Sequence, residues 1–140
     1  MTLPTWEILD DIRQTLQASG QFQSVSIGPD AISGRLPRAE LLLNSCAPGP
    51  ADDRADATWW VLKADVVVHV QASGQGGALE RALQLADAAQ AALRVDGYRG
   101  GLCLDLPIGR ATELGPVRPE PAVKSPYLAL SFEIRCHFEA

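Results

Sequence analysis

The chain has 140 residues and a mass of 15.0 kDa, the usual size of one domain with one core. Hydrophobic residues make up 46% and charged residues 21%, which excludes the low-hydrophobicity, high-charge composition of a disordered chain. Twelve Lys plus Arg against seventeen Asp plus Glu leave a net charge of −5, a balance that argues against tight nucleic-acid binding by counterion release.

No apolar run reaches the ~18 to 20 residues that span a bilayer, and the opening MTLPTWEILDD lacks a basic-then-apolar leader. The expectation is a soluble, unexported protein with no membrane partner. Cys46, Cys103 and Cys136 are odd in number and show no CxxC spacing. That pattern fits free thiols in a reducing cytosol, with Cys103 and Cys136 as small core residues and no disulfide staple.

Thr2 or Thr5 can cap a first helix with Pro4 in its opening turn, and Trp6, Ile8, Leu9, Ile12 and Leu16 form its apolar stripe. Gly20 supplies a left-handed stop. Residues 22–27 alternate as a short strand before the turn Gly28-Pro29-Asp30, and residues 38–46 form a second strand. A third runs from Thr58 to Ala72, and the polar separator CAPGPADDRADA makes the pair a hairpin with a long exposed tip.

The faces of that third strand differ. Trp60, Leu62, Ala64, Val66, Val68 and Val70 are uniformly apolar and belong to the core, whereas Trp59, Val61, Lys63, Asp65, Val67, His69 and Gln71 are mixed. An Ala-rich helix follows from about Ala78 to Val95, with Leu79, Ala82, Leu83, Ala86, Ala89 and Leu93 inward and Gly97 past its end. Residues 101–106 resume strand character, residues 110–117 continue it beyond an interruption at Pro107 and Gly109, and the four-proline segment 116–126 is a loop.

The last strand, Tyr127 to Glu139, alternates most cleanly, with Leu128, Leu130, Phe132, Ile134, Cys136 and Phe138 on one side. The predicted class is α+β, a mostly antiparallel sheet with two helices on one face in the order α-β-β-β-α-β-β. One domain, residues 1–140, is expected, without internal repeats.

Nothing in the chain assembles a catalytic motif. His69 and His137 lie on mixed strand faces with no Asp-His-Ser or HxxxH spacing, so each is expected to be a partly exposed strand histidine. Strand alternation sends Cys136 and His137 to opposite faces, which disfavours a shared metal. SGQGG before the second helix could meet an anion through backbone N–H groups, but it lacks GxGxxG, GxxxxGK[ST] and any cation, so a flexible connection is the simpler reading. Asp52, Asp53, Arg54 and Asp56 form a charged tip that suits partner contact or plain solvation, and the EF-hand pattern is missing. The expectation is a non-enzyme with no catalytic residue, no cofactor and no metal.

The mixed strand faces point to assembly. Trp59, Val61 and Val67 on one strand, and Tyr127, Glu133 and Arg135 on another, combine apolar anchors with charges as protein interfaces do. Either another chain covers them, or the prolyl segment or first hairpin of this chain does.

The helix WEILDDIRQTL, the hairpin ending in WWVLKADVVVHVQA, the helix ALERALQLADAAQAAL and the closing strand SPYLALSFEIRCHF together resemble the tail terminator (minor tail) proteins of long-tailed bacteriophages and prophages. The resemblance covers most of the chain and lies in element order and strand alternation. It implies a subunit that forms a homo-oligomeric, hexameric ring on the tail tube protein, ends tube polymerisation and meets the head-completion or connector protein. It places the protein in the host cytoplasm during assembly and then in the virion tail. Such a ring needs a head-to-tail interface that closes, and an acidic ring would let DNA pass without sticking. Another neck or tail-completion protein, or a small ligand-binding or enzymatic α+β domain using His69 or SGQGG, are the competing expectations. A cleft with a perturbed titratable group would mark the last of these.

Overall fold

Two thirteen-residue strands, Trp59–Gln71 and Tyr127–Glu139, pair antiparallel along their whole length, from Trp59 opposite Glu139 to Gln71 opposite Tyr127. The computed structural model describes residues 3–28, 35–49, 59–71, 77–117 and 127–139. In chain order the elements are α1 (Thr5–Ala18), β1 (Ser24–Ile27), β2 (Arg38–Pro48), β3 (Trp59–Gln71), α2 (Ala78–Arg94), a 3₁₀ turn (Arg99–Gly101), β4 (Ile108–Val117) and β5 (Tyr127–Glu139). They form one five-stranded sheet in the order β1-β2-β3-β5-β4. The class is α+β, as predicted.

The core lies between the two helices and one face of the sheet. Leu62, Ala64, Val66, Val68 and Val70 of β3 and Leu128, Leu130, Phe132, Ile134, Cys136 and Phe138 of β5 are all buried there, as the alternation required. Each large side chain so buried contributes about 1.5–3 kcal/mol. From α1 come Ile8, Leu9, Ile12 and Leu16; from α2, Ala82, Leu85, Ala86, Ala89 and Leu93. The alanines let α2 lie close against β3 and β5.

Several expectations are corrected. Trp6 is 62% exposed, and Leu79 and Leu83 are 42% exposed, so each helix turns its stripe away from them, α2 toward Leu85. Pro4, not a threonine, stands at the N-cap of α1, with no side-chain cap. Gly20 is left-handed at φ +74 as expected, and Gly97 lies past the end of α2 as expected. The chain then turns at Arg99, Gly100 and Gly101, all with positive φ. That reversal leaves residues 101–106 with a single bridge, Asp105 to His137, in place of a strand. β1 is shorter than predicted and runs parallel to β2; the β2–β3 and β4–β5 pairs are antiparallel.

The cysteine reading is also overturned for two residues. Cys103 and Cys136 are joined by a disulfide, with Cα atoms 5.9 Å apart. Strand alternation turns Cys136 inward, and the reversal after α2 returns Cys103 to it across 33 residues, a proximity that spacing along the chain cannot reveal. Cys46 is free and half-buried.

Arg99 pins this reversal. It is 3% exposed, and its guanidinium donates to the carbonyls of Leu93 at 3.0 Å and Asp96, to Thr15 Oγ1 at 2.7 Å and to the Asp11 carboxylate at 3.2 Å. It therefore caps the C-terminal end of α2 and ties it to α1.

Candidate functional site

With both helices on one side, the other face of the sheet is the candidate surface. The register fixes its rows: Arg38 with His69, Glu40 with Val67 and Leu42 with Asp65 across β2 and β3. Across β3 and β5 they are Trp59 with Glu139, Val61 with His137, Lys63 with Arg135, Asp65 with Glu133, Val67 with Ser131 and His69 with Ala129. Of the six interface candidates, Trp59, Val61, Val67, Glu133 and Arg135 share this face, and the register places the sixth, Tyr127, at its far end, opposite Gln71.

Exposure divides the face in two. Val67, His69 and Ala129 are buried at 4%, 5% and 1%, whereas Trp59, Val61, Lys63, Asp65 and Glu133 are half-buried and Arg135 is exposed. Val67 is thus enclosed within its own chain. The tip residues Asp52, Asp53, Arg54 and Asp56, and SGQG at 73–76, lie outside the described residues.

At the buried end, His69 Nε2 donates to Glu40 Oε1 at 2.6 Å, and Arg38 lies 3.8 Å from the other carboxylate oxygen. The carboxylate can only accept, which sets the donor on His69. This hydrogen bond, then the charges of His69 and Arg38, hold the Glu40 carboxyl below its usual range against the opposing effect of burial. The expectation that His69 is partly exposed is therefore corrected. Its partner sits 29 residues away, visible only once β2 and β3 are in register.

At the open end, His137 is half-buried, as expected. Its Nδ1 hydrogen-bonds the Asp105 carboxylate, and its ring meets Trp59 edge-on with centroids 5.4 Å apart. Gly49 makes this seat possible: a Cβ there would stand 2.6 Å from the Trp59 indole. Shallow depressions adjoin the sheet among the described residues. One of about 220 Å³ is lined by Pro107, Ile108, Gly109, Glu133 and Arg135. Another, a polar cleft of about 340 Å³, lies on the helix side among Gln21, Gln23, Pro37, Arg81 and Gln84.

Among the described residues no three His, Cys, Asp or Glu side chains converge as a metal set, and no helix is long and apolar enough to cross a membrane. Cys136 and His137 do face opposite sides of β5, the first buried in the disulfide and the second beside Asp105. No protein-family model matches the chain, and a search among curated proteins finds no match.

Proposed function

We propose that this chain is a structural subunit of a long-tailed phage or prophage tail, the terminator that closes as a hexameric ring on the tail tube, stops its growth and receives the head-completion or connector protein. The observation that carries this reading is the two-sided β3–β5 pair. One side lies under both helices; the other presents Trp59 and Val61 beside Glu133 and Arg135, half-buried to exposed. Apolar anchors ringed by charge are what a subunit interface uses. The reading also draws on the resemblance in element order, and it asks no chemistry of the chain.

A second reading, a small ligand-binding or enzymatic domain, draws on the His137–Asp105 pair beside Trp59. The two part company under one experiment. Purified tail tubes incubated with the protein should acquire an end ring and stop elongating, and Val61→Glu should abolish capping while its thermal unfolding stays cooperative. Tubes that elongate unchanged would contradict the terminator reading. A subunit that ignores tubes but binds the connector would be a neck protein instead.

A further inference from the structure

On the open face, charges of like sign stand directly opposite one another. Lys63 of β3 pairs in register with Arg135 of β5, and Asp65 pairs with Glu133. Directly opposed like charges destabilise a strand pair, so the arrangement works against the isolated subunit. Among the described residues one contact offsets it, Arg135 Nε donating to Glu133 Oε1 at 2.8 Å within β5. Lys63 and Asp65 make no ion pair with any described residue. All four side chains remain accessible, Glu133 at 37% and Arg135 at 52%.

The result is a cationic band across two strands and an anionic band beside it, about 6.8 Å further along, two strand residues away. Such a pattern is self-complementary. If a second copy is turned about a two-fold axis that runs across the strands between the bands, Lys63 faces Asp65 of the copy and Arg135 faces Glu133, with β3 over β3 and β5 over β5. The four contacts are two distinct ones, Lys63 with Asp65 and Arg135 with Glu133, each made twice by symmetry, as an isologous interface requires. We infer that this face binds a second copy of the chain, face to face. The inference rests on the assembly reading in one respect: the paired face is the one proposed to join ring neighbours, so the pair keeps free subunits from closing before a tube is present.

Light scattering and sedimentation of the whole chain test it at low and high salt. Wild type should form a dimer that salt weakens. The double variants Lys63→Glu with Arg135→Glu, and Asp65→Lys with Glu133→Lys, should each dissociate, their dissociation constants raised roughly a hundredfold or more. Mixed together, their all-negative and all-positive faces should restore a 1:1 dimer. Circular dichroism melts establish that each variant is folded, and exchanging only Lys63 with Asp65 and Arg135 with Glu133 provides a fourth protein that should again self-associate. A wild type that stays monomeric overturns the inference, and so does an oligomer indifferent to the reversals. A ring whose two reversed variants fail to complement each other overturns the two-fold pairing while leaving the ring reading intact.

Discussion

Glu40 carries a defined pH dependence because its carboxyl is held below the ordinary value of 4.5, first by the hydrogen bond from His69 and then by the charges of His69 and Arg38. A carboxyl with a lowered folded pKa stabilises the fold above its unfolded pKa and loses that contribution as pH falls through the folded value. Glu40→Gln should therefore lower stability at pH 7 by about 1–3 kcal/mol and flatten the acid limb below the ordinary carboxylate range. Urea midpoints from pH 3 to 7 check it, and an equal loss at every pH would speak against the pairing. Arg99 predicts a different profile. It meets the carbonyls of Leu93 and Asp96, Thr15 and Asp11 at once, which a single ammonium cannot do. Arg99→Lys should cost about 3 kcal/mol, read as a lowered denaturant midpoint with no loss of the sheet. Neither partner set was legible in the sequence, because His69 and Arg99 reach across 29 and 88 residues and residue spacing reports only local geometry.

The strands were the most legible elements, for a physical reason: β3 and β5 are buried on one side, and a period of two leaves one solution to which side chains go in. Their core sets in the structure match the alternation residue for residue, apart from Trp60, which is only partly buried against the core. Short and small-residue elements were less legible. Four residues of β1 carry no signal of strand direction, and the Ala-rich α2 offers two neighbouring stripes of similar hydropathy, so packing on the sheet chose Leu85 over Leu83. The mixed face was readable as mixed, but not how its two ends divide. Val67, at 4% exposure, predicts that Val67→Glu unfolds the protein by at least about 3 kcal/mol through an unpaired buried charge. Val61→Glu, on the half-buried part of the same strand, should change stability by about 1 kcal/mol or less. Paired thermal melts give the comparison. The Cys103–Cys136 bond closes a loop of 33 residues, and Cys136→Ser should remove about 3–4 kcal/mol relative to the oxidised chain. A peptide map without reductant should recover the two cysteines in one linked fragment.

At the level of the whole molecule, helices and disulfide hold one side of the sheet, and the proposed ring would use the other side of the long central strands. The net charge of −5 suits a ring through which DNA would pass, since like charge disfavours adhesion to phosphates. The most direct measurement is the mass of the protein by light scattering after size exclusion over a range of concentrations, taken together with images of purified tail tubes incubated with it. The protein should self-associate alone and place a closed ring of about six subunits on tube ends, halting their growth. A strict monomer at every concentration, beside tubes that keep elongating with bare ends, would contradict the terminator reading.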